Sequence, residues 1–566
     1  MCRRSNLHTA NSGIASQKTL AMTPWLSRYV QFQSAVESCY NSRVNSLASA
    51  SSPRLARAAT VVMLFFIASR ALGVLRDVVI SHQFGTARVL DAYFAAFTVP
   101  DFVFNVLAGG ALGSAFIPTF SAALARDQAR RAWQLAEAII VLVCLVLTLL
   151  CALLAIFARE VAVLTVARGF APAEQALTAD LMRWMLITPI VFGVSGIVMG
   201  ILQSHQHFVL PALAPVVYNA AIIASALVLA PIIGVYGLVV GVVAGAVLHL
   251  VVQVPLAAHF RFQISDCRLQ IFNLRATIYN LQLPEVREVI RLMLPRTLGI
   301  AAVQINFVVN TMLASALPAG AIAALAYAWR VMLLPVGVVG QSLATAVFPT
   351  FATQAARAER EALRATFSSA FRTTLYLTIP ATAGLIVLGA PLVAFLFQRG
   401  QFDARSTAET AFALRFFALA LFAHSGLEIV SRAFYALHDT LTPVVVGIAA
   451  MTLNVVLSLV LIAPLAHGGL ALANSIATML ELATLLVILQ CRIGDIDAWR
   501  IARSTMRIIA ATAGMTIVLI PLANFFASSP VFVAVVGTAV GAMVYFIGTL
   551  ILRSDEIALV YQRLRR

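Results

Sequence analysis

The chain has 566 residues, of which 61% are hydrophobic and only 11% are charged. This composition excludes an ordinary soluble globular protein and predicts an all-α, polytopic membrane protein. The formal net charge of +16 comes almost wholly from arginines in short connections between apolar segments. That distribution favours membrane topology over binding to nucleic acid.

Residues 1–56 differ in kind from the rest of the chain. They are rich in Ser, Ala and Asn, contain one acid, Glu37, and lack the apolar core of a secretory signal peptide. Their acid-poor, Arg- and Ser-containing composition imitates an organelle transit peptide. We interpret them as a disordered cytoplasmic extension.

The first apolar segment carries charge into the membrane. Within residues 58–80 the chain places Arg70, Arg76 and Asp77. A guanidinium inside a span costs between about 2.5 and 17 kcal/mol, so such residues usually face a water-filled cavity. On a helix Arg70 and Asp77 share one face, and Arg76 is predicted to point about a third of a turn away.

Fourteen apolar segments are predicted in all. The connections after even-numbered segments hold most of the arginines, for example Arg126, Arg130 and Arg131 after the second. This bias predicts that both termini are cytoplasmic. The segments are 58–80, 91–119, 135–158, 176–203, 209–230, 234–258, 290–316, 319–350, 370–397, 409–436, 442–464, 468–490, 504–525 and 530–552.

An internal repeat relates two halves of the chain. The pattern Gly-x-x-Leu-x-x-Ala-x-x-Pro-Thr-Phe begins at Gly109 and recurs 231 positions later at Gly340, and Arg168-Gly169 recurs as Arg399-Gly400 at the same offset. The repeat unit holds six spans, so the two copies are predicted to be parallel six-helix lobes around a central cavity.

The predicted domains follow from that repeat. An N-terminal lobe covers 57–260 and a C-terminal lobe covers 289–491, while 492–566 holds two extra spans and a cytoplasmic tail. The cytoplasmic linker 261–288 between the lobes is either a partly amphipathic interfacial helix or a plain tether.

A second deep arginine, Arg330, lies in the eighth segment. Because the first and eighth segments belong to opposite lobes, Arg70, Arg76 and Arg330 are predicted to converge on the cavity. The planar guanidinium binds phosphate oxygens in pairs and keeps its charge in a low-dielectric site. The alternative is that each arginine pairs with an acid, such as Asp77 or Asp91, and locks helices together.

Other polar residues inside the apolar segments are candidates for gating or ion coupling. Asp91 stands at the mouth of the second segment, where it either gates by pairing with an arginine or acts as a helix N-cap. Glu428 has His424 one turn before it, which makes the pair a candidate protonation switch or a structural hydrogen bond. Three amide side chains of the seventh segment are candidate oxygen ligands for a monovalent cation, namely Gln304, Asn306 and Asn310.

No motif for a resident cofactor or for catalysis accompanies these residues. The six cysteines have no metal-binding spacing, and no HExxH, P-loop or GxSxG motif occurs. We therefore expect no cofactor, no metal site and no enzyme activity.

Several motifs, taken as a set, resemble the MurJ (MviN) family of lipid II flippases over residues 58–552. The resemblance implies membership of the superfamily that includes the multidrug and toxin extruders and the polysaccharide-unit flippases, with fourteen helices and an inward-open cavity. The motifs are Ser69-Arg70-x-Leu72-Gly73-x-x-Arg76-Asp77, Asp91-Ala92-Tyr93-Phe94-x-Ala96-Phe97, Gly110-Ala111-x-x-x-Ala115-Phe116-x-Pro118, Phe397-Gln398-Arg399-Gly400-x-Phe402 and Asp439-Thr440-x-Thr442-Pro443.

The resemblance also assigns roles to residues. The family's essential cavity arginines fall on Arg70, Arg76 and Arg330, and its functional acid falls on Asp91. This chain departs from the pattern elsewhere: Phe104 and Asn105 replace an arginine pair, Leu333 replaces an acid after Arg330, and Asn310 replaces the acid of a cation site. We therefore expect a less densely charged cavity than in some members.

The expected function is export of the undecaprenyl-pyrophosphate-linked peptidoglycan precursor, lipid II, across a bacterial cytoplasmic membrane by alternating access. That step belongs to cell-wall biogenesis and supports cell shape. Membrane potential or a monovalent cation is the expected driver, and membrane lipids and cell-wall synthesis proteins are the other expected partners. The alternatives are export of another polyprenyl-linked glycan or of a drug. A membrane glycosyltransferase would require a catalytic acid in a sizeable outer loop, and the loops here are short.

Overall fold

The computed structural model describes residues 60–262 and 283–557. The chain divides into a small unit that ends at Leu64 and a large unit that begins at Phe65. Residues 60–64, the described part of the small unit, are helical, and the large unit contains all the other described residues. The predicted extension 1–56 and most of the predicted linker 261–288 lie outside the described residues.

Within the described ranges of the large unit, all regular structure is helical. The first half contains α1 (65–84), α2 (Arg88–Val103), α3 (Gly110–Ala125), α4 (Ala129–Ile156), α5 (Ala158–Leu164), α6 (Pro172–Met185), α7 (Ile187–Ser204), α8 (Val209–Val228), α9 (Ala230–Ile233), α10 (Val235–Val251) and α11 (Val254–Phe262).

The second half begins after the undescribed part of the linker. It contains α12 (Pro284–Ser315), α13 (Ala321–Pro335), α14 (Ser342–Ala356), α15 (Arg360–Phe397), α16 (Ala404–Ala418), α17 (Leu421–Ala436), α18 (Leu441–Ile493), α19 (Ala498–Phe525) and α20 (Pro530–Ile551).

The helices confirm a polytopic membrane protein. In the described part of the chain, ten helices are long and apolar enough to cross a membrane, or eleven if the pair α16 and α17, bent by 44°, forms one span. The 53-residue α18 is two helices that meet at Ala466, whose φ of 47° and ψ of −130° are not helical.

Irregular elements recur at nearly the offset of the sequence repeat. A π-helical turn covers Phe104–Ala108 between α2 and α3, and another covers Val336–Gln341 between α13 and α14. A proline lies shortly before each turn, at Pro100 and at Pro335, where the missing N–H removes a helical hydrogen bond. The duplicated sequence therefore produces the same local break in both halves.

Helices of the two halves pack against each other. The second half brings α12 against α2 and α3, and it brings α13 against α2. The large apolar core between them includes Tyr93 of α2 and Tyr327 of α13, both buried. Functional residues on α1, α2, α12 and α13 are therefore neighbours in space although they are distant in sequence.

The last two helices are fastened to α15 by a buried ion pair. Arg372 Nη1 lies 2.6 Å from Glu556 Oε1, and the two side chains are 5% and 1% exposed. Ser504 donates a hydrogen bond of 2.8 Å to Glu556 Oε1, and Ser554 donates one of 2.5 Å to Oε2. This cluster joins α15, α19 and the segment after α20.

The Glu556→Ala variant is expected to lose about 3–5 kcal/mol of unfolding free energy, because the Arg372 guanidinium would stay buried without its partner. Chemical denaturation of the purified protein in detergent measures the loss. Glu359→Ala is the control, since Glu359 pairs with Arg357 on the surface at 3.9 Å and is expected to contribute about 1 kcal/mol or less. Equal losses in the two variants would contradict the role of the buried pair.

The same pair predicts a pH dependence. Burial raises the pKa of Glu556, but hydrogen bonds from Ser554 and Ser504 and the charge of Arg372 outweigh that effect and hold the pKa below the ordinary value. The stabilisation is therefore present above the ordinary glutamate pKa of about 4.3, and it is lost as the pH falls through the folded-state pKa. The difference in stability between wild type and Glu556→Ala should narrow in acid.

Candidate functional site

One carboxylate joins the first helix to the second half of the chain. Arg76 Nη2 of α1 and Arg330 Nη1 of α13 each lie 3.0 Å from the same oxygen, Oδ1 of Asp77. Asp77 is 5% exposed, whereas 34% of the Arg330 side chain is exposed. A single buried anion therefore holds two arginines from opposite halves of the sequence.

Asn219 of α8 fixes the other side of Arg76. Its Oδ1 accepts a hydrogen bond of 3.1 Å from Arg76 Nη1, and its Nδ2 donates one of 3.0 Å to the carbonyl oxygen of Pro215. Asn219 is not among the residues predicted from the sequence. An amide inside an otherwise apolar span was the signal that could have identified it.

Arg70 lies on the same cavity, which has a volume of about 320 Å³ and which we call the arginine cavity. Its guanidinium lies over the Phe66 ring, 5.4 Å from the centroid. The predicted convergence of three arginines is therefore present in the structure, and so is the alternative pairing with Asp77. Arg76, predicted to point about a third of a turn from the face of Arg70 and Asp77, lines the same cavity as those two residues. The wall consists of Ser69, Arg70, Gly73, Val74, Arg76, Asp77, Asn219, Arg330, Val331, Leu333, Leu334, Leu396 and Phe397.

A second cavity, also of about 320 Å³, shares Arg330 with the arginine cavity. The Arg330 guanidinium is 4.8 Å from the centroid of the Phe94 ring, which belongs to the wall of this second cavity. We call it the aromatic cavity, because five ring side chains line it: Phe94, Phe97, Phe307, Trp329 and Phe417.

The candidate cation ligands of α12, Gln304, Asn306 and Asn310, line the aromatic cavity, and two of them, Asn306 and Asn310, bond to each other. Asn310 Nδ2 donates to the backbone oxygen of Asn306 at 3.0 Å and to its Oδ1 at 3.2 Å. Ser458 of α18 donates to Asn310 Oδ1 at 3.4 Å. Among the described residues, no group of three or more His, Cys, Asp or Glu side chains could hold a metal ion.

Glu428 and His424 are not hydrogen-bonded to each other. Glu428 pairs with Arg432, one turn further along α17, and His424 Nε2 lies 3.3 Å from Asn474 Oδ1. Both side chains line a third cavity, of about 560 Å³. Each side chain therefore has a structural partner of its own, and the protonation switch stays a prediction.

Asp91 caps the N-terminus of a helix from the other half, α13, whose N-cap residue is Gly320. It is fully buried, and its two carboxylate oxygens accept hydrogen bonds from the backbone N–H groups of Gly320, at 2.7 Å, and Ala323, at 2.8 Å. These groups belong to the first turn of α13. Arg88 Nη1, 3.7 Å from Asp91, adds a weaker ion pair.

Around Asp91, the connections before α2, α13 and α16 close on one another, and we call this contact region the loop seal. Thr86 Oγ1 and Ser406 Oγ are 2.8 Å apart, and Arg88 Nη1 donates to the Leu317 carbonyl oxygen at 3.0 Å. Gly320 has a φ of +98°, and a Cβ there would lie 2.9 Å from the Thr86 carbonyl oxygen, so the close approach requires glycine.

A match to a protein-family model identifies the family of this chain. The family model described as "Lipid II flippase MurJ" matches residues 80–539. The chain belongs to the MurJ family. Members of the MurJ family are lipid II flippases, so this chain is a membrane transporter and not an enzyme.

Curated relatives agree with this family. "Lipid II flippase MurJ" of Burkholderia cenocepacia is 30% identical over 435 residues, which cover 75% of this chain and 82% of the relative. "Probable lipid II flippase MurJ" of Bdellovibrio bacteriovorus is 29% identical over 459 residues, which cover 80% and 85%. This chain is therefore a multi-pass membrane protein, and its bacterial MurJ relatives imply the cytoplasmic membrane.

Solved structures show the same fold. The structure titled "Lipid II flippase MurJ, inward closed conformation" has a TM-score of 0.70 and 24% identity, and covers 89% of this chain and 100% of its own. An inward-facing multidrug resistance MATE family transporter of the MOP superfamily has a TM-score of 0.64 and 17% identity, covering 76% and 96%. This chain thus shares the fold of both structures.

The Asp77→Asn variant tests the shared ion pair. It is expected to lower the free energy of unfolding by about 1.5–3 kcal/mol, because two guanidiniums lose a charged hydrogen-bond acceptor. Chemical denaturation in detergent measures the loss, and Asp127→Asn, in the loop after α3, is the control. In the double variant Asp77→Asn with Arg330→Ala the loss should be smaller than the sum of the single losses. Additive losses would contradict the pairing.

Proposed function

We propose that the chain moves lipid II from the cytoplasmic to the outer leaflet by alternating access, with its pyrophosphate bound in the arginine cavity. In this proposal the fourteen apolar segments are fourteen spans, arranged as two parallel six-helix lobes with two extra C-terminal spans, and both termini are cytoplasmic. The polyprenyl tail stays in the bilayer while the headgroup enters the cavity.

The observation that carries the proposal is the excess of positive charge on one cavity. Arg70, Arg76 and Arg330 line it together with a single acid, Asp77, which leaves two charges uncompensated. In the described part of the chain Arg70 forms no ion pair, so its donors are available to a ligand. Guanidinium groups bind phosphate oxygens through paired, charge-assisted hydrogen bonds.

The proposed cycle requires the loop seal to open. Asp91 and Arg88 join α2 to α13 at the seal, and Asp77 joins α1 to α13 nearer the cavity. We place the seal at the outer face, since it consists of connections after odd-numbered segments. A pyrophosphate that competes with Asp77 for Arg76 and Arg330 would loosen the inner of these two links and leave the seal as the remaining barrier.

Membrane potential is the proposed driver. Moving one elementary charge across the membrane is worth about 2.3 kcal/mol per 100 mV. Coupling to a monovalent cation at Asn310 is the less supported alternative, because that side chain is neutral and already bonded to Asn306 and Ser458. Association with cell-wall synthesis proteins stays a prediction.

The Arg330→Ala variant tests the arginine cavity. In a bacterium depleted of its own lipid II flippase, wild type should restore exposure of lipid II on the outer leaflet. Arg330→Ala should lower that exposure by about 10- to 100-fold at matched membrane expression, because charged hydrogen bonds to the ligand are lost. Arg126→Ala, at the end of α3, is the matched control and should behave as wild type.

The outcomes separate substrate from site. Failure of a well-expressed wild type would reject lipid II in favour of another polyprenyl-linked substrate. Full rescue by Arg330→Ala would keep the flippase and reject Arg330 as a ligand for the pyrophosphate.

A disulfide across the loop seal tests alternating access. Thr86→Cys with Ser406→Cys should crosslink under oxidation, since the native hydroxyl oxygens are 2.8 Å apart, and the crosslink should abolish lipid II exposure until reductant is added. Each single cysteine variant, treated in the same way, is the control. Transport that continues in the crosslinked protein would contradict opening at this seal.

A further inference from the structure

The aromatic cavity contains an acid that neither the proposed clamp nor the family resemblance uses. Asp101 of α2 lines this cavity together with aromatic rings from α2, α12, α13 and α16. The sequence shows it only as one of a few acids inside apolar segments. Its position in a ring-lined cavity is evident only from the structure.

Asp101 has no cationic partner in the described residues. No Arg or His side chain of those ranges forms an ion pair with it, and Arg330, the one cation in the described wall of the cavity, is engaged with Asp77. The amide side chains of the wall, such as Asn306 and Asn310, are neutral and bond to each other. A carboxylate in a mainly apolar wall is costly unless a cation accompanies it.

The shape and lining of the cavity indicate which cation fits. A volume of about 320 Å³ is far larger than a bare ion needs. Phe307 and Trp329 face it from α12 and α13, and their rings contact each other with centroids 6.2 Å apart. Aromatic faces attract ammonium groups and are the usual walls of sites for quaternary ammonium ligands.

We propose that the aromatic cavity is a binding site for an organic ammonium group, held by the Asp101 carboxylate and by the faces of the surrounding rings. Two sources supply this chemistry. One is an amine on the peptide of the lipid-linked substrate, and this case rests on the proposed function. The other is a free organic cation.

Arg330 connects the proposed ammonium site to the arginine cavity. It lines both cavities, so an anion bound on one side and an ammonium bound on the other would share one wall. The Arg330 guanidinium pairs with Asp77 on the arginine cavity and lies over the Phe94 ring of the aromatic cavity. The arginine cavity therefore has two positive charges in excess, whereas the aromatic cavity has one acid and one arginine that already has a counter-ion.

The first experiment uses choline as the probe. The full chain in nanodiscs is titrated calorimetrically with choline and with its neutral isostere 3,3-dimethylbutan-1-ol, in potassium buffer. Choline should bind and the isostere should bind at least about tenfold more weakly. Asp101→Asn should weaken choline binding by about tenfold or more, whereas Asp127→Asn should bind as wild type.

Two Trp329 variants separate loss of an aromatic face from misfolding, and competition with sodium tests for a metal site. Trp329→Phe should retain choline binding and Trp329→Leu should weaken it severalfold, although both keep an apolar side chain of the wall. Equal binding of choline and the isostere, or unchanged binding in a folded Asp101→Asn protein, would overturn the proposal. So would Asp101-dependent displacement of choline by sodium at millimolar concentration, which would identify a metal cation as the ligand.

The second experiment distinguishes the two sources. Lipid II with a free lysine amine in its peptide is compared with lipid II acetylated at that amine, on wild type and on Asp101→Asn. Weaker binding of the acetylated lipid to wild type, with no difference on Asp101→Asn, assigns the site to the substrate peptide. No effect of acetylation, together with Asp101-dependent choline binding, assigns it to free organic cations.

Failure of this inference is separable from failure of the proposed function. Suppose that wild type exposes lipid II and the Arg330→Ala variant does not, but that binding of choline and of the peptide amine is the same with and without Asp101. Only the ammonium site is then rejected. If choline binding depends on Asp101 but wild type exposes no lipid II, the lipid II proposal is rejected and the site for organic cations stands.

Discussion

The structure depends on one shared counter-ion. A single carboxylate oxygen of Asp77, which is buried, accepts hydrogen bonds from Arg76 of its own helix and from Arg330 of α13. Without that carboxylate, two guanidiniums would approach each other in a medium of low dielectric constant, where like charges repel strongly. With it, α1 and α13 are held together and the cavity between them keeps an excess of positive charge.

The helix α13 is held at two points by acids of the first half. Asp77 contacts Arg330 near its C-terminal end, and Asp91 accepts the N–H groups of Gly320 and Ala323 at its N-terminal end. The second contact also places a negative charge at the positive end of the helix dipole. In the proposed cycle these two contacts are the ones that hold α13 to the first half.

Charge is separated between two neighbouring cavities. The arginine cavity carries three guanidiniums with one acid, while the aromatic cavity carries Asp101 among rings and amides. Arg330 lines both cavities, and its ion pair is with Asp77 and not with Asp101. Under the two proposals, a substrate that bears both a pyrophosphate and an amine would place the first group in the arginine cavity and the second in the aromatic cavity.

The membrane class, the duplication and the deep arginines were all determined by the sequence alone, because hydropathy, repeated motifs and the cost of a buried charge are local properties. Tertiary structure decided which helix Asp91 caps, that Asn219 orients Arg76, and that Glu428 pairs with Arg432 rather than with His424. Helical periodicity states which face a side chain occupies, but not which residues of a distant segment lie opposite. For that reason the ring-lined cavity around Asp101, whose wall combines residues of α2 with residues of α12, α13, α16 and α18, could be recognised only after the chain was folded.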